Sequence, residues 1–303
     1  MSIFIQNVRV GEPIRHEALT VFPLFSETKS SVEYILVDEA LGKKSVVVEE
    51  INVAGSVPDL LVKNSSDNRV LFIEGEELIG AKQNRILNAS IIVAAHSELK
   101  IPVSCVEEGR WRYKKRRFDS SGSHSPYELR YDLKKSVFTS LKSGRGYRSD
   151  QGKVWEKVRK IHAMHGTSSP TGAMSTAFKE LKHRIAEFRK KIKYVEGAIG
   201  IAVAIGKKVV ALDIFDKSST CKKVWARLIS GFVIDALEKG VSRSEGAGVN
   251  DVEQLLLRAT DAKWKKVEPV GEGEEYRTEF DEDNGSVLAI EDTLVHGSVL
   301  TAL

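Results

Sequence analysis

The first 110 residues break into short apolar and β-branched runs, and that spacing most limits the folds open to the chain. Residues 46–48, 60–62, 70–73, 90–94 and 101–106 are each long enough for a strand and too short for a helix. Turn chemistry separates them. Ala54-Gly55-Ser56-Val57-Pro58 is one break, and Asn64-Ser65-Ser66-Asp67-Asn68 places five turn-forming residues in a row. This pattern predicts an antiparallel sheet or sandwich rather than alternating βαβ units.

The middle of the chain changes to a helical period. Asp150 is placed to cap a helix with Val154, Val158, Ile161 and His165 on one face. A second helix is expected from Ser175 or Thr176, with Phe178, Leu181, Ile185, Phe188, Ile192 and Val195 at three-and-four spacing and a basic outer side. A hairpin of 198–205 and 209–214 follows, turning at Gly206-Lys207-Lys208. Next come a helix carrying Val224, Trp225, Leu228, Phe232, Val233 and Leu237 up to Gly240, and a short helix where Asn250 and Glu253 fit a capping box. Strands return at 264–267, 276–280, 287–290 and 294–300. The expected class is α+β: β-rich over 1–118, helical and basic over 119–197, mixed over 198–303 with an acidic tail, all in one compact unit.

The 303 residues, 42% hydrophobic and 29% charged, have the composition of a globular protein rather than a disordered or fibrous one. No apolar run approaches the ~20 residues of a membrane span, and the start lacks the pattern of a signal peptide. Two cysteines, Cys105 and Cys221, cannot build a disulfide framework or a four-thiolate zinc site, so a reducing cytoplasmic setting is expected. Charge is uneven. From Arg110 to Lys160 there are 16 basic residues against 5 acidic, and from Asn250 to the end 5 basic against 13 acidic. A basic segment attracts phosphates, on a nucleotide or on nucleic acid, and it can equally face the acidic tail. Gly200 and Gly206 enclose one residue too many for a P-loop, Gly246-Ala247-Gly248 lacks a dinucleotide fingerprint's third glycine, and no nucleophile elbow or His-Glu-x-x-His is present.

Two dense polar stretches remain. The first runs Glu74-Gly75-Glu76-Glu77-Leu78-Ile79-Gly80-Ala81-Lys82-Gln83-Asn84-Arg85 between two strand-like runs. Its glutamates suit acid–base work or a hard cation such as Mg²⁺, and Lys82, Gln83, Asn84 and Arg85 supply donors for phosphate, ribose or carboxylate. The bland alternative is a solvated hairpin tip. The second is Pro102-Val103-Ser104-Cys105-Val106-Glu107-Glu108-Gly109-Arg110-Trp111, where Glu107 is a candidate acid or base, Arg110 a phosphate partner and Trp111 either a stacking surface or a core anchor. Cys105 reads as a small buried hydrophobe. Weaker candidates are His162 with His165 as a metal pair, Asp213 and Asp216 at a strand end, His296 as a structural histidine, and Ser143-Gly144-Arg145-Gly146-Tyr147 as a basic loop over a phosphate ligand or a plain linker.

Together these two stretches resemble the ARG-and-rhodanese-phosphatase-associated protein family, where ARG denotes ADP-ribosylglycohydrolase. Phe22-Pro23-Leu24-Phe25, Val57-Pro58 and Asp213-x-Phe215 extend the resemblance over nearly the whole chain, and Ala81 stands where the family pattern is expected to carry a second glycine. The resemblance implies a link to ADP-ribose and other NAD-derived nucleotides, and a pocket lined by Glu74, Glu76, Lys82, Gln83, Asn84, Arg85, Glu107, Arg110 and Trp111. The leading expectation is a nucleotide binder or hydrolase in which Glu76 or Glu107 activates water while Lys82, Arg85 and Arg110 hold phosphates. Mg²⁺ stays open as a cofactor. The alternatives are an RNA-binding module, with Tyr113, Tyr127, Tyr131, Tyr147 and Trp155 interleaved among the basic residues, and a non-catalytic scaffold for a partner protein.

Overall fold

The structure, a computed structural model, describes residues 8–240 and 246–302. The first part of the chain forms β1 (Arg9–Val10), β2 (Ile14–His16), β3 (Leu19–Phe25), β4 (Ile35–Leu36), α1 (Val37–Gly42), β5 (Val46–Glu50), β6 (Asp59–Asn64), β7 (Val70–Phe72), β8 (Glu76–Gly80), β9 (Arg85–Leu87), β10 (Ile91–Val93), β11 (Ser97–Cys105) and β12 (Phe118–His124). Four helices follow, α2 (Tyr127–Lys142), α3 (Gln151–His165), α4 (Met174–Glu180) and α5 (Lys182–Lys191). The last part contributes β13 (Gly200–Ile205), β14 (Lys208–Phe215), α6 (Ser218–Lys239), α7 (Val249–Asp261), β15 (Lys265–Val267), β16 (Glu274–Phe280), β17 (Asp283–Ile290) and β18 (Thr293–Leu300). Antiparallel pairing dominates, and the fold is α+β.

A nine-stranded sheet in the order β1-β3-β13-β14-β18-β17-β16-β15, with β2 paired to β3, joins the start of the chain to its end. Its central strands read as continuous apolar runs because both faces are covered. Leu19, Val21, Ile201, Val203 and Phe215 meet α2 to α6 on one face, while Phe22, Leu24, Ala202, Leu212 and Val299 meet Val252, Leu255 and Ala259 of α7 on the other. A six-stranded sheet, β12-β8-β9-β11-β6-β5, and a small β10-β7-β4 sheet enclose a third core of Val48, Leu60, Val62, Phe72, Leu78 and Phe118 under α1.

Three expectations need adjusting. The β-rich part extends through β12, past the expected boundary at 118, because the polar segment 118–124 pairs with β8 and carries no apolar period of its own. The helix expected from Ser175 or Thr176 to Val195 begins at Met174, breaks at Leu181 and ends at Lys191, although its apolar stripe still buries Phe178, Ile185, Phe188 and Ile192. Asn250 and Glu253 do not form the capping box; Asp251 accepts the Gly248 N–H at 2.7 Å instead, two residues earlier than the expected register.

The helix α6 locks the layers together. Asp235 accepts from the Tyr127 and Glu128 amides at 2.6 and 3.3 Å, capping α2 after Pro126, and burial raises its carboxyl to about 7. Gly231 lies against β12 so closely that a Cβ would sit 2.5 Å from the Ser125 carbonyl oxygen and 3.0 Å from that of His124. We therefore expect Gly231→Ala to lower stability by about 1–3 kcal/mol, the overpacking outweighing the ~1 kcal/mol gain in helix propensity. A denaturant midpoint at or above the parent's would show that α6 can move away from β12 without cost.

Candidate functional site

The first polar stretch is a buried hairpin and not a solvated tip. From Glu74 to Arg85 every residue except Ile79 is buried. β8 and β9 pair through Glu77 with Ile86 and Leu78 with Arg85, so residues 81–84 form the turn. Gly80 is required there, since a Cβ would stand 2.5 Å from the Arg117 carbonyl oxygen at a φ of +137°. Ala81 takes φ +34°, a region that favours glycine, which gives the departure noted at this position a physical cost.

Arg110 and Glu107 hold this turn. The Arg110 guanidinium donates to both Glu107 oxygens at 2.8 and 2.6 Å, to the Ala81 and Gly80 carbonyls at 2.6 and 3.1 Å, and to Asn84 Oδ1 at 3.3 Å. Glu107 also accepts from Thr171 Oγ1 at 2.7 Å and the Asn84 N–H at 3.1 Å. Burial pushes its carboxyl up, but Arg110, Thr171 and the Asn84 amide outweigh this and hold it below the usual range. A carboxylate so fully engaged acts as a clamp. Gln83 Nε2 donates to the Glu107 carbonyl at 2.8 Å, and Asn84 Nδ2 donates to Ser175 Oγ at 3.0 Å.

On the outer side of the turn, Arg85 lies 3.6 Å from Glu50, donates to Gln83 Oε1 at 3.1 Å, and sits 5.7 Å from the Trp111 ring centroid. Lys82 donates to the Ala54 carbonyl at 2.7 Å and stands 5.1 Å from the Trp111 ring and 5.2 Å from that of Tyr113. Lys82, Gln83, Asn84, Arg85, Glu107, Arg110 and Trp111 are thus brought together, as a structural cluster whose polar atoms mostly satisfy one another.

Glu74 and Glu76 point elsewhere. Glu74 meets Lys134 Nζ at 2.8 Å, with Arg130 and Arg277 at 3.7 and 3.9 Å, and these cations overcome burial to keep its carboxyl low. Burial in turn lowers Lys134 to about 8. Glu76 pairs with Arg227 at 2.6 Å, yet burial wins and raises it to about 7. Glu77 has no ion pair with a described residue; burial, with the nearby Glu107 charge, raises it to about 8 against the weaker lowering pull of Ser121, Asn84 and the Ser175 amide.

The weaker candidates resolve into structural roles. Arg130 forks onto Asp213, whose Oδ1 also lies 3.3 Å from His296 Nε2, while His296 Nδ1 meets Ser90 Oγ at 2.7 Å. Asp213, held ionised by Arg130, can only accept, so the ring proton sits on His296 Nε2 and the Ser90 hydroxyl, which accepts the Glu74 amide, donates to Nδ1. The order is that of a Ser-His-Asp relay, but all three are buried and the serine oxygen already has its donor and its acceptor. Asp216, directly after β14, accepts from Ser30 and Tyr34. His162 bonds Thr167 Oγ1 at 2.7 Å and the Ala173 carbonyl at 3.1 Å. Cys105 is buried, with its thiol raised to about 11, as a small hydrophobe would be.

Among the described residues a hollow of about 440 Å³ opens between the second half of α2, the 143–149 loop and the start of α3. Its lining includes Lys135, Arg145, Arg148 and Lys153, none of them in an ion pair with a described residue, and Ser140, which is 5% exposed with no described partner for its hydroxyl. The second polar stretch supports this wall from behind. Ser149 Oγ lies 2.5 Å from Ser104 Oγ, Asn88 Nδ2 donates to the Tyr147 carbonyl at 2.8 Å, and Gln151 exchanges two 2.8 Å hydrogen bonds with the Cys105 backbone. The basic 143–147 loop was the sequence signal for this hollow; that α2 supplies the opposite wall was not legible.

Removing Arg110 leaves Glu107 buried without its counter-charge, so Arg110→Ala should cost about 3–5 kcal/mol, with part recovered in the Arg110→Ala/Glu107→Gln double variant. Additive losses in a thermal-unfolding cycle would contradict the clamp. Glu77 gives a pH signature of opposite sign to a salt-bridged carboxylate. Between the ordinary value of 4.5 and its raised value near 8 only the unfolded chain ionises there, so stability falls as pH rises through that window. Glu77→Gln should therefore match the parent near the lower limit and exceed it increasingly toward the upper one; a constant difference would refute the assignment.

Comparison with curated proteins and with solved structures returned no match. No helix among the described residues is long and apolar enough to cross a membrane. The ARG and Rhodanese-Phosphatase-superfamily-associated Protein domain matches residues 7–300, almost the whole chain, and the protein belongs to that family.

Proposed function

We propose that the protein binds a phosphorylated small molecule of the ADP-ribose class in the hollow between α2 and α3. The observation that carries this reading is the lining itself: four cations that form no ion pair with a described residue and a buried Ser140 hydroxyl with no described partner, around a cavity of ligand size. Lys135, Arg145, Arg148 and Lys153, with no carboxylate partner among the described residues, suit a diphosphate, and Asp132, paired with Lys157, and Asp150, which caps α3, place carboxylates at the same rim for ribose hydroxyls. The family's name associates it with ADP-ribosylglycohydrolases, enzymes whose substrates carry both groups. The reading is of a binder. Water activation by Glu76 or Glu107 would require the Arg227 or Arg110 pair to open, and neither glutamate lines the hollow.

Thermal shift against ADP-ribose, AMP, inorganic phosphate and ribose tests it. A ligand at about a hundred times its Kd adds ~2.7 kcal/mol. ADP-ribose should stabilise the parent, ribose should not, and Arg145→Ala/Arg148→Ala should abolish the shift while leaving the unliganded Tm within a degree or so of the parent. No shift with any phosphate compound, or a full shift in the double variant, would refute the proposal.

A further inference from the structure

Residues 111–117, Trp-Arg-Tyr-Lys-Lys-Arg-Arg, are all exposed, an unbroken run of seven between buried Arg110 and buried Phe118. Trp111 is 46% and Tyr113 43% exposed, two of only five large apolar or aromatic side chains so presented among the described residues. Two of the others, Val53 and Val57, belong to the neighbouring 51–58 loop, where Gly55 lies against the Trp111 ring. We propose that this strip binds single-stranded nucleic acid.

The aromatic pair is set in place before any ligand arrives. The Lys82 ammonium stands about equally far from both ring centroids and is itself tied to the Ala54 carbonyl, while Arg85 backs the Trp111 ring. The backbone beneath is pinned twice, by Arg110 Nη1 donating to the Arg112 carbonyl at 3.0 Å and by the Lys114 amide donating to the Ala81 carbonyl at 3.0 Å. Exposure therefore comes with a fixed course, which lowers the ordering cost of binding.

The charges around the rings are available. Lys115 pairs with Asp119, but Arg112, Lys114, Arg116 and Arg117 make no ion pair with a described residue. Two exposed rings with Arg112 between them and Lys114, Arg116 and Arg117 beyond them offer a single strand both stacking faces for unstacked bases and cations for its phosphates. A duplex hides its base faces, and an acidic peptide would answer the charges and leave the rings unused. The RNA reading of the sequence is narrowed by the same facts. Tyr127 is buried, and Tyr131, Tyr147 and Trp155 are partly buried, so of its five aromatics only Tyr113 is exposed, and Trp111 takes their place. The strip shares no residue with the lining of the hollow, so this proposal stands or falls apart from the one above.

The test is fluorescence anisotropy of the full chain with labelled uridine and thymidine dodecamers across a salt series, with a duplex of the same length and polyglutamate as comparators. Neutralising four phosphates of a single strand predicts a log–log salt slope of about −3. Trp111→Ala/Tyr113→Ala should weaken binding at least about fivefold per ring at constant slope. Because Trp111 packs on Lys82 and Arg85, a second variant keeps both rings: Lys114→Ser/Arg116→Ser/Arg117→Ser should flatten the slope to about −1. Tighter binding of the uridine strand would identify RNA as the partner, and tighter binding of the thymidine strand DNA. Absence of binding at about 50 mM salt, affinity unchanged in both variants, or duplex or polyglutamate bound as tightly as the strands would overturn the proposal.

Discussion

Charge removed from water needs a partner of opposite sign, and the layers of this protein meet where that need is answered. Glu74 from the N-terminal sheets, Arg130 and Lys134 from α2, and Asp213, Arg277 and His296 from the nine-stranded sheet are all buried within one connected set. Lys134 reaches Glu74, Ser286 and Ser298 together, so one ammonium joins three separate parts of the chain. Such a set contributes less to net stability than its Coulomb attractions suggest, because desolvation offsets them. Its effect is to make wrong dockings costly: displacing α2 would strand a guanidinium, an ammonium and two carboxylates in a dry interior.

The same reasoning explains the polar hairpin. A run of glutamates, lysine, glutamine, asparagine and arginine between strands invites a ligand-binding interpretation, because those residue types are the ones that ligands meet. Here they meet one another. Arg110 fills Glu107 and the backbone carbonyls of the 80–81 turn, and Asn84 and Gln83 satisfy what remains. The hairpin is the rigid base from which the exposed 111–117 strip projects, and the following strand, through Ser104 and Cys105, supports the wall of the α2–α3 hollow.

The basic middle of the chain divides three ways. Part of it faces the acidic tail, as Lys142 with Glu279 at 2.6 Å shows. Part surrounds the hollow through Lys135, Arg145, Arg148 and Lys153, and part stands in solvent from Arg112 to Arg117. Total charge over a segment does not distinguish these fates, since pairing depends on what the fold sets opposite each side chain.

Strand and helix order was largely legible in the sequence, because apolar period and turn chemistry act locally: β5, β6, β7, β10 and β11 fall on the expected runs, as do the 200–215 hairpin and α6. β12 was not, since a strand of serine, glycine and histidine carries no apolar period and exists only by pairing with β8. The blocks around Glu74 to Arg85 and Glu107 to Trp111 also stood out as sequence. Which of their charges are neutralised and which cations are left free was decided by the tertiary structure alone. Burial and counter-charge are set by residues distant in sequence, Thr171 and Ser175 for Glu107 and Asn84, Glu50 for Arg85, Arg227 for Glu76, and no local pattern encodes that pairing.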